Sequence, residues 1–400
     1  MPTMSDTSRW LGFWAASLSL ILVFAASATP IPLYAIYRAT EGLTYAELSL
    51  TAVFYFISAI IALLSCGRLS NHVGRRPVVA LALLLAALAC GVLLEVSGVV
   101  SLILGRVLQG FSCGLASSAA AAFVTDNAPR RPGWLAPAVT STGTMIGLTL
   151  GAVASGALVE HAPLPRMMPY LVITVALLLC LLLVWRSRET SPRHAGALAS
   201  LRPRLALPQA SRPLYPVACC IFIATWALGG FFQAFGPSLS TDQLGSSSAL
   251  VAAVVFASYM APSALGGPLG GRLSPHGAQR LGSVAFVVCV AGLLASLTAG
   301  TIGLFLLASA CAGIAQGMVL SGSIRALLAN AEPSERAGVF SVIFTTCYCG
   351  AAIPSLIAGQ AARELSLPQV LGGYLALAVI ACLVTLIAAR DPARVTASAR

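Results

Sequence analysis

The stretch GRLSNHVGRRP occupies residues 67–77 and lies between two long apolar segments. A shortened copy, GRLSPHG, occurs at residues 271–277, which is 204 positions further along the chain. Glycine allows the tight turn that a short loop between antiparallel helices requires, and arginine interacts favourably with helix C-termini. Because such a loop recurs once in each half of a very apolar chain, the sequence predicts two related halves.

The composition predicts a membrane protein. Apolar residues make up 58% of the chain, charged residues make up 9%, and the mean hydropathy is +0.91, all far from the values of a soluble domain. A helix needs about 20 mostly apolar residues to cross ~30 Å of hydrocarbon, and continuous apolar runs favour helices over barrel strands. We therefore predict an all-α membrane protein with twelve spans: 11–37, 47–66, 77–97, 100–124, 134–159, 168–185, 214–237, 248–270, 281–299, 302–323, 337–360 and 369–389.

Arginine sets the predicted orientation, because all 23 Lys+Arg residues are Arg. With the N-terminus inside, nineteen arginines lie on the inner side, three on the outer side, and Arg106 within a span. The positive-inside rule then places both termini in the cytoplasm, and the net charge of +11 is a topology signal rather than a nucleic-acid footprint. The outer three are Arg38, Arg166 and Arg363.

The longest hydrophilic stretch, residues 186–212, carries six arginines and three prolines. This composition is typical of a surface connector between two domains. We predict an N-terminal six-helix bundle at 1–185, a cytoplasmic linker at 186–213 and a C-terminal six-helix bundle at 214–400.

The loop at 67–77 resembles motif A of the major facilitator superfamily, which joins helices 2 and 3 with a pattern close to GxLxDRxGRR. Asn71 stands where the family usually has Asp, and His72 where it often has Arg or Lys. The resemblance implies two pseudo-symmetric six-helix bundles around a central cavity. Asp126 resembles the acidic partner of the motif A arginines, with a carboxylate merely solvated at a helix end as the alternative. The implied gating residues are Gly67, Arg68, Asn71, Gly74, Arg75, Arg76 and Asp126.

The fourth predicted span contains LILGRVLQG, residues 102–110, which resembles motif B of the same superfamily through Arg106, Gln109 and Gly110. A charged side chain in hydrocarbon costs at least ~2.5 to 3.5 kcal/mol on insertion scales, so such an arginine usually faces a cavity or a partner. Extension of Arg106 to the outer surface is the alternative, because it lies about two turns from the start of its span. In the second half, GIAQG at 313–317 keeps the Gln-Gly pair and replaces the arginine by glycine.

The fifth predicted span carries a ladder of small residues that suits close helix packing. It resembles motif C, which the superfamily associates with antiporters, although Ala152 replaces the expected Pro and Ser155 replaces one Gly. The resemblance favours export over uptake, and ordinary tight packing is the alternative. The ladder consists of Gly143, Gly147, Gly151 and Gly156.

Proton coupling normally uses a carboxylate or a histidine within the membrane, and none of the 12 Asp+Glu residues falls deep in a predicted span. Glu47 and Asp126 are the best candidates for protonation linked to transport. A substrate gradient or a facilitative mechanism therefore stays open.

Polar and aromatic residues that interrupt the apolar runs are candidates for lining a substrate cavity. Each of them is also compatible with core packing. Pro30 and Pro32 are predicted to break the first helix and to leave backbone groups that need partners. The cavity candidates are Tyr34, Tyr55, Trp226, Gln233, Tyr259, Gln316 and Tyr348.

Taken with the resemblance, these features predict a secondary active transporter that moves a small molecule by alternating access. The favoured activity is proton-coupled export of a drug or metabolite, as in the drug:proton antiporter branch, from a cell inner membrane. An uptake symporter or facilitator is the alternative, while a membrane-embedded enzyme is disfavoured because no HExxH, GxSxG or paired intramembrane carboxylates occur. We expect a monomer in the lipid bilayer, with protons as coupling ion, no nucleic-acid partner, no cofactor and no metal.

Overall fold

The computed structural model describes residues 6–129, 131, 135–203, 205, 207–329, 331, 332 and 335–389, and within these ranges the chain is helical with no β-strand. Five arginines used to predict the orientation lie outside the described residues: Arg130, Arg204, Arg390, Arg394 and Arg400. The helices are α1 (Asp6–Ala28), α2 (Tyr34–Glu41), α3 (Tyr45–Cys66), α4 (Ser70–Val73), α5 (Arg75–Val92), α6 (Val99–Asp126), α7 (Leu135–His161), α8 (Met168–Arg186), α9 (Ala197–Ser200), α10 (Tyr215–Asp242), α11 (Ala249–Gly271), α12 (Pro275–Thr298), α13 (Ile302–Leu328), α14 (Arg336–Ala361) and α15 (Leu367–Ala388).

Twelve of the described segments are long and apolar enough to cross a membrane. This confirms the predicted all-α fold and its number of spans. Many large apolar side chains lie on outward helix faces, such as Val175, Leu304 and Ile387. Apolar surface on this scale needs a cover, and lipid tails supply it in a multi-pass membrane protein.

The first span, Ser8–Glu41, consists of two helices rather than one. α1 ends at Ala28, a 3-10 turn covers Ile31–Leu33, and α2 follows. Pro30 and Pro32 lack the amide hydrogen that would continue the helical bonding pattern. The prolines therefore interrupt the span at the predicted place and release carbonyl oxygens of α1 for other donors.

The described residues form two compact units. The first comprises residues up to 43 together with 54–203, and the second comprises 44–53 together with the described residues from 205 onward. Residues 44–53 contain the beginning of α3. Within the second unit, the Tyr45 hydroxyl donates a hydrogen bond to the Asp242 carboxylate, and the Tyr45 ring centroid lies 6.0 Å from that of Phe235.

Candidate functional site

The break in the first span is filled by two side chains of α6. Pro30 cannot donate to the Ala26 carbonyl, and Gln109 Nε2 donates to that oxygen instead, at 2.7 Å. Arg106 Nη1 donates to the Ser27 carbonyl at 2.5 Å and to Gln109 Oε1 at 2.8 Å. The RxxQ spacing places both side chains on one face of the helix, because residues three apart are neighbours there. Motif B therefore meets the carbonyls released by the proline break.

Arg106 is fully buried, with 0% of its surface exposed, so it does not extend to the outer surface. Its guanidinium carbon lies 4.4 Å from the centroid of the Tyr55 ring, a distance typical of a cation–π contact. In the described part of the chain no carboxylate pairs with Arg106. Two of its nitrogens, Nε and Nη2, have no hydrogen-bond partner there. The cation is thus only partly compensated.

The glycine ladder of α7 packs against α1 beside this break. A Cβ on Gly151 would lie 2.1 Å from the Ala25 carbonyl oxygen, and one on Gly147 would lie 2.4 Å from that of Ile21. Gly143 faces Leu20, and Gly156 is buried in the same helix. Ser155 Oγ donates to the Thr29 carbonyl at 2.6 Å, which satisfies another backbone group near the prolines. The ladder therefore brings α7 into backbone contact with the interrupted helix.

The motif A loop is organised around Arg75. Its Nε lies 3.0 Å from Asp126 Oδ2 in an ion pair, and its Nη1 donates to Ser70 Oγ at 2.7 Å and to Asn71 Oδ1 at 2.5 Å. The amide oxygen of Asn71 thus accepts the hydrogen bond that a carboxylate would accept, but without its charge. Gly67 follows α3 directly, and its amide donates to the Leu63 carbonyl at 3.0 Å.

Glu189, which the sequence reasoning did not assign to this site, supplies a carboxylate to the loop. Its two oxygens accept the backbone N–H groups of Arg75 at 2.7 Å and Arg76 at 3.0 Å, at the start of α5. A carboxylate in this position is favoured by the unpaired amides and positive end of the helix. The neighbouring Thr190 hydroxyl donates to Asp126 Oδ2 at 2.9 Å, so both acids belong to one network.

Residues 187–202, which we call the strap, are hydrogen-bonded along the motif A loop. The His194 amide donates to the His72 carbonyl at 2.9 Å. Arg68 Nη2 donates to the carbonyls of Ser200 at 3.1 Å and Arg202 at 2.8 Å. The strap lies within the predicted linker at 186–213, and Arg68 of the motif A loop binds two of its carbonyls and holds it against the loop. Arg76 makes a similar bond to the end of α8, with Nε 3.1 Å from the Val184 carbonyl.

In the second unit, an arginine of α13 holds the repeated loop, whereas in the first unit the arginines belong to the loop itself. Arg325, near the end of α13, donates through Nη2 to the Gly270 carbonyl at 2.6 Å and through Nη1 to the Leu273 carbonyl at 3.0 Å. These carbonyls are at the C-terminus of α11, where a cation is favoured. The repeated GRLSPHG loop is therefore held by an arginine from a helix, which sequence reasoning did not single out.

The structure describes all the predicted cavity residues. Some of them pack in the core, and two of them have a polar atom without a hydrogen-bond partner among the described residues. Tyr34 and Tyr259 are both fully buried, and Tyr259 stacks on Phe232 with centroids 5.0 Å apart. Trp226 makes an edge contact with Tyr348 at 5.1 Å. In the described residues, Trp226 Nε1 and Gln316 Oε1 have no hydrogen-bond partner. Tyr55 lies against Arg106, and Gln233 is 7% exposed.

The family model of the Major Facilitator Superfamily matches residues 16–353 and also 217–400. The chain belongs to the major facilitator superfamily. The match covers both halves of the chain, so the Arg106–Gln109 pair, the motif A network and the Arg325 contact all lie within the part that carries the superfamily pattern. Members of this superfamily are transporters.

Two individual proteins illustrate the relationship of this superfamily member to known ones. A curated relative, MFS efflux transporter aclA of Aspergillus oryzae, is 31% identical over 199 residues, which are 47% of this chain and 35% of that protein. The chain thus covers well under two thirds of that relative's length. A solved bacterial homologue of the human lysosomal transporter Spinster, in an inward-facing and unoccupied conformation, aligns with a TM-score of 0.77 over 98% of this chain and 99% of that one at 14% identity. The second comparison shows that the major facilitator fold is shared.

Proposed function

We propose that this major facilitator protein is a proton-coupled exporter of a small drug or metabolite that works by alternating access. The observation that carries the proposal is the Arg106–Gln109 pair, which joins a buried charge to the interrupted part of the first span. Discontinuous helices of this kind commonly form substrate and coupling sites in transporters. Export rather than uptake is supported by the glycine ladder of α7 and by the efflux function in the name of the fungal relative.

The proposal includes a monomer without enzymatic activity in a cell inner membrane, with both termini in the cytoplasm. Protons are the proposed coupling ion, yet both candidate carboxylates have structural partners. Glu47 Oε2 accepts from the amide and the hydroxyl of Thr44, each at 2.8 Å, at the start of α3. Asp126 is paired with Arg75. Protonation of either group would therefore release a contact at a helix end, which is a direct way to link it to movement.

Growth of an efflux-deficient bacterium across a broad panel of toxic compounds tests export. Cells express the wild type, Arg106→Ala or the control Arg336→Ala, which removes an exposed arginine at the start of α14. We expect protection by the wild type and the control but not by Arg106→Ala at equal membrane levels, and loss of protection when a protonophore is added. Sensitisation of the cells to a compound by the wild type would instead indicate uptake.

A further inference from the structure

We infer that the substrate of this transporter is an organic anion whose negative group pairs with Arg106; the inference rests on the proposed export function. The first observation is the distribution of charge in the spans. Arg106 is the only charged side chain among the buried residues that the structure describes. Every described Asp and Glu lies in a connection or within three residues of a helix end. The interior of the described spans thus contains one cation and no counter-ion.

The second observation is the unused edge of the guanidinium. Arginine offers five N–H donors in a rigid plane, and only Nη1 of Arg106 is hydrogen-bonded, to Ser27 and Gln109. Nε and Nη2, which form the side-on edge of the guanidinium, are buried without partners. Two parallel N–H groups on one edge match the two oxygens of a carboxylate or a phosphate. The large majority of buried polar side-chain atoms have a hydrogen-bond partner, so a pair of unsatisfied donors on one buried guanidinium calls for an acceptor that the described residues do not supply.

Electrostatics favours an anion over a cation at this position. A cationic compound would enter a region whose one buried charge is positive, and no described carboxylate lies deep enough to offset either charge. An anionic compound neutralises Arg106. An anion that leaves a cell with a negative interior also moves down the electrical gradient. The membrane potential therefore assists its export without a proton-binding carboxylate inside a span.

Binding requires Arg106 to become accessible, because its side chain is 0% exposed in this structure. The groups around it belong to different helices: Ser27 lies one residue before the end of α1, Tyr55 is on α3, and Gln109 is on α6 with Arg106 itself. A small separation of α1 or α3 from α6 exposes the unused edge while Gln109 keeps its place. The proline break makes α1 the helix whose backbone bonds are easiest to exchange.

The test uses an efflux-deficient bacterium with probes sorted by charge: nalidixate, fusidate and fosfomycin as anions, chloramphenicol as a neutral compound, and ethidium and tetraphenylphosphonium as cations. We expect the wild type to protect against at least one anion and against neither cation. Arg106→Gln, which keeps hydrogen-bonding groups but no charge, should lose that protection by about tenfold or more, as expected for loss of a desolvated charge pair. Arg106→Lys should retain part of it, because lysine keeps the charge without the side-on fork.

Flux of the protected anion into liposomes that contain purified protein supplies a second readout, with the potential imposed by K⁺ and valinomycin. We expect an inside-positive potential to accelerate uptake by the wild type, and Arg106→Gln to lose this flux while remaining monodisperse in detergent. Protection against cations or neutral compounds, without any anion, would overturn the inference and leave the export proposal standing. Protection against nothing would remove both, and unchanged anion export by Arg106→Gln would remove the role of Arg106.

Discussion

At the residue scale, Gly74 is constrained twice. Its φ of +109° lies in a region that side-chain-bearing residues rarely adopt, and a Cβ there would lie 2.6 Å from Glu189 Oε2. The backbone conformation favours glycine, and a Cβ would also push Glu189 away from its position at the start of α5. Gly74 therefore permits both the turn of the motif A loop and the contact of that loop with Glu189 of the strap.

We expect Gly74→Ala to destabilise the protein by about 1–3 kcal/mol, the usual cost of a strained backbone position, and to reduce transport. The matched control is Gly91→Ala in α5, where nothing lies within 4 Å of the added Cβ. That variant should be neutral or up to ~1 kcal/mol more stable, because alanine favours the helix. Thermal unfolding in detergent compares the two, and equal midpoints would show that the turn tolerates a side chain.

Glu189 gives a second prediction at this scale. Glu189→Gln neutralises the carboxylate that accepts from two backbone amides at the start of α5. We expect the free energy of unfolding to fall by about 0.5–2 kcal/mol and the strap to loosen. Limited proteolysis of the strap measures the loosening. Glu364→Gln is the control, since it makes the same change on an exposed side chain in the α14–α15 connection. Identical cleavage rates for both variants would contradict an anchoring role for Glu189.

At the scale of helices, the two halves share a close glycine contact between two helices, but within the described residues only the first half has a buried charge beside it. Tyr55 and Tyr259 are 204 positions apart, the same spacing as the two loops. In the first unit Tyr55 lies against Arg106. In the second, a Cβ on Gly313 would lie 2.2 Å from the Tyr259 carbonyl oxygen, just as one on Gly110 would lie 2.1 Å from that of Tyr55 in the first, so Gly313 takes the place of Gly110 rather than that of Arg106. α13 therefore approaches α11 about as closely as α6 approaches α3, and the buried charge of the first unit lies beside this contact rather than in place of it.

This close approach is testable with Gly317, whose added Cβ would lie 2.0 Å from the Ser263 carbonyl oxygen. We expect Gly317→Ala to force α13 away from α11 and to cost about 1–3 kcal/mol through overpacking. The control Gly303→Ala lies in the same helix with nothing within 4 Å of its Cβ. Thermal unfolding should separate the two variants by several degrees, and coincident melting curves would show that the contact yields easily.

At the scale of the whole molecule, the distribution of arginine predicts the orientation in the membrane. We expect a C-terminal fusion of green fluorescent protein to fluoresce and a C-terminal alkaline phosphatase to stay inactive, because both termini are proposed to be cytoplasmic. Alkaline phosphatase fused in the α14–α15 connection, after Glu364, should be active. An active C-terminal phosphatase would reverse the proposed orientation and place the motif A loop outside.

Much of the architecture was predictable because hydrocarbon imposes a strict rule. Each span needs a long apolar run, and these runs are local properties of the sequence. The predicted segment 168–185, for example, differs from α8 by one residue. The predicted break at Pro30 and Pro32 is equally local, since it follows from a missing amide hydrogen.

The partners within the site were not predictable in the same way. The position of Arg106 in a span was recognisable as energetically costly, yet its contacts with Ser27 and Tyr55 join residues that lie 79 and 51 positions apart in the chain. The roles of Glu189 and Arg325 could not be predicted, because a carboxylate that binds backbone amides and an arginine that binds backbone carbonyls produce no sequence pattern. Their partners are main-chain atoms, which every residue has.

By itself, the sequence determined the helical membrane fold, the twelve spans and the presence of one arginine in a place where charge is expensive. Those properties follow from transfer of side chains and peptide groups into hydrocarbon, which each segment undergoes largely on its own. Only the tertiary structure decided that α6 fills the break in the first span, that the strap binds the motif A loop, and that one edge of Arg106 stays unsatisfied. Such outcomes depend on which donors and acceptors distant segments bring together, because inside the membrane they have no water to bond instead.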